Sequence, residues 1–477
     1  MTKIKFGTDG WRAIIAKEFT VENVARVSEG VAKWLLTNQP ANQSPNQLSV
    51  VIGHDCRFGG KLFSETTASV LTHFGIKVFL ADGFVSTPMI SFATKKFNAS
   101  IGIIITASHN PPSYNGFKLK GYYGGPLLPE QVSEIENLIP DNSNLNLDSI
   151  SNAPLIRKVD LESIYCKHVE KNFDLKLIRK SGLKIAYDAM FGAGQNVIKK
   201  ILPEAILLHC ENNPSFNGTA PEPIAKNLKE IAELIKNTNR KAKNRKNKIS
   251  IGLATDGDAD RLGLFDSNGN FVDSHHIILL LIHYLCKYKK MKGKICTAFS
   301  TTVKIKKMCN HYGLPLDVVK IGFKYICGIM IKEDVLIGGE ESGGIAIKEH
   351  IPERDGIWIG LTLFEFMAKS GKSLEELIKE VYEITGPFSF ERNDLPISEE
   401  QKNKIIANCS NGKYSAFGKY KVQKMDDLDG WKYFFSDEEW LMVRASGTEP
   451  VLRIYSESST KNKALDILKA AKKTLLS

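Results

Sequence analysis

A serine and a histidine stand directly after a short apolar run of the sequence. Ile101–Ile105 is typical of a strand buried on both faces, and a polar loop from Thr106 to Pro112 ends that strand. Ser108 and His109 therefore lie at the carboxyl end of the predicted strand, which is where open α/β sheets bind ligands. A hydroxyl there is a candidate nucleophile or phosphate carrier. The alternative is an ordinary loop whose serine hydrogen-bonds its own backbone.

Three aspartates at alternate positions form a second chemical signal. Asp256, Asp258 and Asp260 follow the predicted strand from Ile249 to Ala254, within the segment TDGDADR. Carboxylates this close repel one another unless a cation lies between them, and hard oxygen ligands favour Mg²⁺. A calcium-binding EF-hand is a rival site, but no glutamate stands at its twelfth position. An acidic turn without a metal is the other alternative.

Two loops that carry arginines could bind anions. Arg12 lies in FGTDGWR, and Arg444 opens RASGTEP, which Arg453 follows. Phosphate groups favour bidentate guanidinium contacts and free backbone N–H groups, and both loops contain glycines that can expose such groups. The alternatives are a β-turn with a surface arginine near the N-terminus and a tight turn before the last helix.

A pair of glutamates flanked by glycines could bind sugar hydroxyls. The segment from Gly338 to Gly344, GGEESGG, follows the predicted strand from Val335 to Ile337. Glycine permits a ligand to approach the backbone closely, and Glu340 and Ser342 can hydrogen-bond neighbouring hydroxyl groups. The loop is therefore a candidate sugar-binding segment.

Together these loops resemble the signature segments of the α-D-phosphohexomutases, the phosphoglucomutase/phosphomannomutase superfamily. The similar segments are TASHNP with NGFK, GTDGWR, DGDADR, GEESGG and RASGTEP, and the resemblance runs from about Phe6 to Tyr455. It implies a phosphoserine at Ser108 and Mg²⁺ in the aspartate loop. The implied catalytic residues are Ser108, His109, Lys118, Arg12 and Arg261. The implied metal ligands are Ser108, Asp256, Asp258 and Asp260. The implied substrate-binding residues are Gly322, Lys324, Glu340, Ser342, Arg444, Ser446, Gly447, Thr448 and Arg453.

The resemblance implies an isomerase that interconverts glucose 1-phosphate and glucose 6-phosphate through the phosphoserine. Glucose 1,6-bisphosphate is the implied intermediate and activator, and Mg²⁺ is the implied metal. GEESGG with GFK and HIPERDG is similar to the phosphoglucomutase branch, whereas many phosphomannomutase-like members carry a histidine where this chain has Gly344. The alternatives are a phosphomannomutase or dual-specificity mutase, a phosphoglucosamine mutase, a glucose 1,6-bisphosphate synthase, or a non-catalytic sugar-phosphate-binding relative. We expect glucose 1-phosphate to be preferred over mannose 1-phosphate by about tenfold to a hundredfold in kcat/KM.

The elements that must position these loops alternate between strands and helices. Predicted strands at Leu48 to Gly53, Ile76 to Leu80 and Ile101–Ile105 are separated by helical patterns, and the same alternation restarts twice along the chain. A helix is predicted over Ala225 to Ile235, and a strand over Phe388 to Glu391. The predicted fold class is α/β, with three similar α/β domains of mixed sheets and a C-terminal α+β domain around a central cleft. The predicted domains are residues 1–153 with the phosphoserine loop, 154–268 with the metal loop, 269–384 with the sugar-recognition loop, and 385–477 with the phosphate-binding loop.

The charge of the chain suits small anionic substrates. The 477 residues include 64 Lys and Arg against 53 Asp and Glu, a net charge of +11 that is spread along the sequence. One basic cluster, from Asn239 to Lys248, is interpreted as a solvated surface loop, with a polyanion site as the alternative. We therefore expect hexose phosphate substrates, no nucleic-acid or membrane partner, and a monomer or homodimer.

Cysteine spacing and hydropathy indicate the compartment. The eight cysteines show no CxxC spacing, which favours reduced, buried thiols over a zinc site or a disulfide framework. No apolar run is long enough to span a bilayer, and the N-terminus lacks the apolar core of a signal peptide. The sequence therefore predicts a cytoplasmic protein.

Overall fold

The computed structural model describes residues 3–38, 48–143, 145, 153–445 and 451–477. The chain divides into two compact units. One comprises Met1–Ile277 and Gly322–Leu377, and the other comprises Ile278–Ile321 and Ile378–Ser477. Among the described residues, no helix combines the length and the apolar character that crossing a bilayer requires. All eight cysteines are buried with free thiols, as their spacing predicted.

The N-terminal segment forms a six-stranded mixed sheet covered by helices. Its strand order is β1-β5-β4-β2-β3-β6, in which β4, β2, β3 and β6 run parallel and β5 runs antiparallel to both β4 and β1. The strands are β1 (Trp11–Ile14), β2 (Ser49–His54), β3 (Lys77–Ala81), β4 (Ile101–Ile105), β5 (Tyr114–Gly121) and β6 (Ile156–Val159). The helices are α1 (Val21–Thr37), α2 (Gly60–His73), α3 (Thr87–Lys96) and α4 (Pro129–Leu138).

Local sequence explains the elements that flank the Ser108 loop. Every residue of β4 is buried, because this apolar strand lies in the middle of the sheet and is covered on both faces. Helix α3 begins where the Ser86 side chain accepts a hydrogen bond from the Met89 N–H, with Pro88 in its first turn. Strand β4 therefore fixes where the Ser108 loop begins, and the Ser86 cap fixes where α3 begins.

The next segment forms a five-stranded mixed sheet in the order β11-β10-β9-β7-β8. Strands β7, β8 and β9 are parallel, while β10 and β11 are added antiparallel. The strands are β7 (Ile185–Asp188), β8 (Ile206–Leu208), β9 (Ile251–Thr255), β10 (Leu262–Phe265) and β11 (Phe271–Val272). The helices are α5 (Leu161–Asn172), α6 (Leu175–Lys180), α7 (Gln195–Ile201) and α8 (Lys229–Lys241). The aspartate loop is the short connection between β9 and β10.

The third segment again alternates strands and helices. Strands β12 and β13 pair in parallel, and β14 pairs antiparallel with β15. The strands are β12 (Lys294–Ala298), β13 (Leu316–Val319), β14 (Val335–Gly339) and β15 (Ile345–Ile347). The helices are α9 (Ser274–His283), which a π-helical turn (Tyr284–Tyr288) continues, α10 (Lys304–Tyr312), α11 (Phe323–Met330), α12 (Gly356–Ser370) and α13 (Leu374–Thr385).

The last segment is an antiparallel sheet with two helices, as predicted for an α+β domain. The sheet order is β16-β22-β21-β20-β19, and a separate hairpin joins β17 to β18. The strands are β16 (Ser389–Pro396), β17 (Ala416–Phe417), β18 (Tyr420–Lys421), β19 (Lys424–Asp426), β20 (Trp431–Ser436), β21 (Glu439–Ala445) and β22 (Val451–Ser458). The helices are α14 (Glu399–Ser410) and α15 (Lys461–Leu476).

The α/β class with mixed sheets is confirmed, but several element boundaries differ from the sequence pattern. Helix α8 begins at Lys229 rather than Ala225, because Ala225–Asn227 forms a 3-10 turn whose Asn227 amide bonds the preceding loop. Strand β16 continues past Glu391 to Pro396, since it pairs with β22 over its whole length. Strand β5 was not predicted, because Lys118 and Lys120 interrupt its apolar pattern. The structure shows that both lysines are buried.

Candidate active site

Ser108 lies in the loop after β4, and its hydroxyl faces the aspartate loop. Its Oγ donates a hydrogen bond to Asp256 Oδ2 at 2.7 Å. The residue is buried and has a left-handed backbone (φ 53°), which is uncommon for a residue other than glycine. The Ser108 Oγ also lies 3.4 Å from His109 Nδ1. The structure therefore brings the predicted nucleophile to the predicted metal site.

His109 lies in a cationic environment. Burial, followed by the positive charges of Arg261, Arg12 and Lys118, holds the pKa of this imidazole well below its usual range. The ring is therefore neutral near pH 7.

Lys118 is a buried cation at the centre of three carboxylates. Its Nζ lies 2.7 Å from Asp258 Oδ2, 3.2 Å from Asp260 Oδ2 and 2.8 Å from Asp9 Oδ2. Burial alone would lower the pKa of this ammonium group, but the three carboxylates outweigh burial and raise the pKa above its ordinary value. Lys118 is therefore charged and serves as a positive charge rather than a base in this state.

The aspartate loop offers the donor set of a metal site. Ligand oxygens of Asp256, Asp258 and Asp260 all lie within 4.8 Å of one another, and the three side chains are fully buried. Asp258 Oδ1 and Asp260 Oδ1 have no hydrogen-bond partner within the described parts of the chain. Buried carboxylate oxygens without partners are costly, and a hard divalent cation would satisfy them. The residues present therefore fit Mg²⁺.

Neighbouring groups give the aspartates different protonation tendencies. Burial and the charges of Asp258 and Asp260 raise the pKa of Asp256 well above its ordinary value. Burial acts in the same direction on Asp258, but Lys118 outweighs it and lowers the pKa of Asp258. The Thr87 hydroxyl also donates to Asp258 Oδ2, at 2.5 Å. The amino end of α3 thus contributes to the same site.

Two predicted arginines lie beside these loops. Arg12 Nη1 donates to Asn110 Oδ1 at 2.8 Å, which ties β1 to the Ser108 loop. The Arg261 N–H donates to Asp256 Oδ1 at 3.0 Å, and Arg261 Nε lies 3.9 Å from Asp260 Oδ1. Both arginines have a buried Nε without a hydrogen-bond partner in the part of the chain that the structure describes. Positive charge thus accumulates around the Ser108 hydroxyl.

The predicted sugar loop lies next to the aspartate loop. Arg261 forms an isolated β-bridge with Gly344, and the Leu262 N–H donates to the Gly343 carbonyl at 3.2 Å. Glu340 Oε1 accepts the Gly322 N–H at 3.0 Å. Gly322 has a φ of 131°, and a Cβ atom there would lie 2.8 Å from Thr8 Cγ2, so a side chain would not fit easily.

Glu340, Ser342 and Lys324 differ in their surroundings. Burial is the main cause that raises the pKa of Glu340 to about 7, while Arg354 opposes the shift. Ser342 is half-buried. Lys324 lies in the first turn of α11 and lines a cavity of about 120 Å³ with Thr8 and Asp9.

Comparison with known proteins assigns the chain to a family. Residues 3–146, 163–269, 273–384 and 401–473 match, in that order, the three alpha/beta/alpha domains and the C-terminal domain described as "Phosphoglucomutase/phosphomannomutase". A protein of Thermococcus kodakarensis named "Phosphoglucomutase/phosphomannomutase" is 30% identical over 98% of both chains. The chain belongs to the phosphoglucomutase/phosphomannomutase family. It is therefore an intramolecular phosphotransferase of the phosphohexomutase type.

Two further proteins are similar to this phosphohexomutase over most of its length. A phosphoglucosamine mutase of Methanococcus maripaludis is 31% identical and covers 89% of this chain and 91% of its own length. A solved structure from Thermus thermophilus, named as a phosphomannomutase, superposes with a TM-score of 0.86 at 32% identity and covers both chains fully. The four-domain family architecture therefore extends over this chain.

The predicted phosphate loop of this phosphohexomutase is only partly described. Ser446, Gly447 and Thr448 lie outside the described residues. Arg444 and Arg453 lie opposite each other on β21 and β22, and Arg444 Nε lies 3.4 Å from Asp429 Oδ1. The structure thus places the two predicted arginines side by side in the second compact unit.

The structure adds charged residues that the sequence did not single out. Arg354 Nη2 lies 2.6 Å from Asp9 Oδ2 and 2.8 Å from Asp260 Oδ2, while Lys120 Nζ lies 2.7 Å from Glu353 Oε2. Asp9 belongs to GTDGWR, and both Glu353 and Arg354 belong to HIPERDG, so motif membership was the available signal. Their pairing joins segments up to 345 positions apart and could not be found from spacing.

Proposed function

We propose that this phosphohexomutase transfers a phosphoryl group between the 1- and 6-hydroxyls of hexose monophosphates through a phosphoserine at Ser108. The observation that carries the proposal is the Ser108 hydroxyl, 2.7 Å from Asp256 in a cluster of three buried aspartates. The phosphoserine donates its group to the free hydroxyl of the substrate, which yields a hexose 1,6-bisphosphate. The bisphosphate then reverses its orientation in the site and returns the phosphoryl group on the other carbon to Ser108.

The residues around Ser108 are suited to phosphate chemistry. A phosphoserine carries about two negative charges near pH 7, and the substrate phosphate adds more. Arg12, Arg261 and Lys118 supply positive charge, and a charged Lys118 also neutralises the aspartates. Neutral His109, 3.4 Å from the Ser108 Oγ, can accept or donate a hydrogen bond at the reacting oxygen.

Asp256, Asp258 and Asp260, with Ser108, would hold Mg²⁺. When bound, the ion would neutralise charge on the transferring phosphoryl oxygens. A member of the same fold from Aspergillus fumigatus was solved in complex with GlcNAc-6P and magnesium. Asp258 Oδ1 and Asp260 Oδ1, which accept no hydrogen bond from the residues that the structure describes, support the same metal here.

We assign substrate recognition to three segments of the chain. Glu340 and Ser342, with Gly322 and Lys324, would contact the sugar ring and its hydroxyls. Arg444 and Arg453, with the loop residues Ser446, Gly447 and Thr448, would hold the phosphate that does not react. A bisphosphate that reverses its orientation needs such a second phosphate site.

The names of the relatives favour a broader sugar range than glucose alone. The Thermococcus protein is named for both glucose and mannose phosphates, and the Thermus structure for mannose phosphate. We therefore propose a dual-specificity mutase in place of the glucose-preferring enzyme that GEESGG and HIPERDG predicted. Glucosamine phosphate is the second candidate substrate, because the Methanococcus relative is a phosphoglucosamine mutase at 31% identity.

Parallel kinetics on three sugars test the substrate range. With Mg²⁺ and the matching 1,6-bisphosphate, we expect kcat/KM values for glucose 1-phosphate and mannose 1-phosphate within about tenfold of each other, which corresponds to a difference in transition-state binding of at most about 1.4 kcal/mol. A value for glucosamine 1-phosphate that exceeds both would replace the dual-specificity assignment with the second candidate. Net synthesis of bisphosphate without isomerisation would contradict both.

A substitution at Ser108 tests the mechanism. Ser108→Ala should lower turnover of every substrate by several orders of magnitude and abolish phosphorylation of the protein, because the substitution removes the proposed phosphate carrier. Ser113→Ala is the control, since Ser113 is an exposed serine of the same loop, and its activity should stay within about twofold. Near-normal turnover in Ser108→Ala would refute the phosphoserine.

A further inference from the structure

The Arg57 side chain binds the main chain of the Ser108 loop. Arg57 follows β2 and is buried, with 3% of its surface exposed. Its Nη1 donates to the carbonyl oxygens of Pro111 (2.8 Å) and Tyr114 (3.1 Å). Its Nη2 donates to the carbonyl oxygens of Ser108 and Asn110, both at 2.6 Å. A planar guanidinium with five N–H donors can bridge four acceptors in this way.

Asp55 and Thr106 also hold the Ser108 backbone, and with Arg57 they form a set of side chains that we call the clamp. Asp55 Oδ2 lies 3.4 Å from Arg57 Nε and accepts the Thr106 hydroxyl at 2.5 Å. The Thr106 Oγ1 in turn accepts the Ser108 N–H at 2.9 Å. The N–H and the carbonyl group of Ser108 are therefore both held by side chains that are themselves paired.

Two neighbours enclose the clamp. The ring of Phe216, which is buried, lies 5.0 Å from Arg57 Cζ and covers one side of the guanidinium group. Gly257 of the aspartate loop packs against the Ser108 carbonyl, so closely that a Cβ atom there would lie 2.6 Å from that oxygen. The backbone of the Ser108 loop is therefore held by Arg57 and is also in close contact with the aspartate loop.

The clamp explains why Ser108 keeps an unfavourable backbone. Its φ of 53° lies in the left-handed region, which residues other than glycine adopt only where their surroundings impose it. In this conformation the Oγ points to Asp256 Oδ2, 2.7 Å away. A relaxed backbone would carry the hydroxyl away from the aspartates.

We propose that Arg57, supported by Asp55 and Thr106, is a positioning residue for phosphoryl transfer. It fixes the left-handed backbone of Ser108 and thereby keeps Oγ at the aspartate loop. The inference rests on the proposed role of Ser108 as the phosphate carrier. Arg57 acts through the loop, since its four hydrogen bonds to the loop are to main-chain oxygens and none is to the Ser108 hydroxyl. Correct orientation of the reacting atoms supplies much of the rate acceleration of an enzyme, and a misplacement of about 1 Å can lower the reaction rate by about a hundredfold.

Arg57→Lys separates position from charge. Lysine keeps the positive charge but lacks the planar fork, so it cannot bond all four carbonyl groups. We expect kcat to fall about tenfold to a hundredfold, while KM stays within about threefold and circular dichroism is unchanged. Arg26→Lys is the matched control, because Arg26 is also a buried arginine, lies on helix α1, and donates to the Pro140 carbonyl at 2.8 Å. Its kcat should stay within about twofold.

A second readout follows the serine directly. Dephosphorylated protein is mixed with glucose 1,6-bisphosphate and Mg²⁺, and phosphate incorporation is followed by intact mass. Arg57→Lys should take up one phosphate at a rate reduced by about the same factor as kcat. If this variant does not fold, Thr106→Val removes the hydroxyl that links Asp55 to the Ser108 N–H, keeps the side-chain shape, and should give the same slowing.

The outcomes distinguish this inference from the proposed function. Phosphorylation of Arg57→Lys or Thr106→Val at the wild-type rate would overturn the positioning role while leaving the mechanism intact. An equal loss in Arg26→Lys would also overturn it, because the effect would then be general to buried arginines. A wild-type protein that neither isomerises hexose phosphates nor takes up phosphate at Ser108 would overturn the proposed function, and the positioning role with it.

Discussion

Glu340 carries a buried carboxyl group that titrates within the physiological range. Burial raises its pKa to about 7, with Glu341 and Asp9 acting in the same direction and Arg354 and Arg261 opposing them. Its Oε1 already accepts the Gly322 N–H, so an ionised Glu340 could accept sugar hydroxyls with its remaining lone pairs.

We predict that the pH profile of kcat/KM contains an ionisation of Glu340. If the carboxylate form binds the sugar, kcat/KM should rise with pH and level off above about pH 7, because this parameter reports ionisations of the free enzyme. In Glu340→Gln the component near pH 7 should disappear, although overall activity falls. The phosphate group of the substrate titrates near pH 6 in both proteins, so the comparison isolates the carboxyl group. An identical apparent pKa in both proteins would contradict the assignment.

The same shift has a consequence for stability. The folded protein keeps the Glu340 proton up to about pH 7, whereas the unfolded carboxyl group loses it near its ordinary value of 4.5. The contribution of Glu340 to stability is therefore complete below about pH 4.5 and is lost as pH rises through 7. Part of the fall in melting temperature between these pH values should thus be absent in Glu340→Gln.

Strand β20 carries a buried lysine in an aromatic environment. Lys432 Nζ lies 3.8 Å from the centre of the Trp440 ring and donates to the carbonyl groups of Phe299 (3.1 Å) and Thr301 (3.2 Å). Burial lowers the pKa of Lys432 to about 8, against the opposing charges of Glu457 and Asp426. The antiparallel sheet therefore contains a cation that folding tends to deprotonate.

We predict that this sheet becomes more stable as pH rises above about 8. The unfolded lysine keeps its proton up to about pH 10.4, so the unfolded chain binds more protons than the folded one over this interval, and stability rises with pH. Urea unfolding followed by tryptophan fluorescence, which includes the signal of Trp440, should show a midpoint that increases from pH 8 to pH 10. Lys432→Met should remove this increase.

Lys424→Met is the control for the Lys432 experiment. Lys424 lies on the neighbouring strand β19, faces solvent, and stands over the Phe434 ring at 5.7 Å. Its substitution should leave the pH dependence of the midpoint unchanged. A midpoint that is flat between pH 8 and pH 10 in the wild type would mean that Lys432 stays protonated when buried.

Over the whole chain, metal binding should appear as a gain in stability. Three buried aspartates repel one another, and a cation that binds only the folded state stabilises it by about 2.7 kcal/mol at a hundredfold excess over Kd. We predict that Mg²⁺ raises the melting temperature of the wild type by several degrees and that chelation reverses both this rise and catalytic activity.

Asp258→Asn should abolish most of the Mg²⁺-dependent rise in melting temperature. Asp266→Asn is the matched control, because Asp266 is also buried but accepts hydrogen bonds from the N–H groups of Asn268 and Asn270 in the turn between β10 and β11. This control should melt at a lower temperature yet keep the full response. An unchanged melting temperature of the wild type with Mg²⁺ would mean that the neighbouring cations Lys118, Arg261 and Arg354 neutralise the aspartates without a metal.

The loops that carry chemistry could be predicted because each is encoded within a short window. Ser108 follows an apolar strand, and the three aspartates stand at alternate positions of one turn after another strand, so hydrophobic periodicity and loop chemistry located both. The alternation of strands and helices likewise predicted the α/β class with mixed sheets. These features depend on neighbours only a few residues away.

The pairing of these loops depends on which strands become neighbours, and only the tertiary structure decides that. Lys118 meets Asp258 across 140 positions, and Arg57 reaches the Ser108 carbonyl because β2 and β4 pair in parallel. Buried charges change the energetics too, since the pKa of Glu340 follows from its burial beside Arg354 and not from its sequence neighbours alone. Long-range contacts between charged side chains leave no periodic trace in a sequence, which is why the clamp on Ser108 became visible only in the fold.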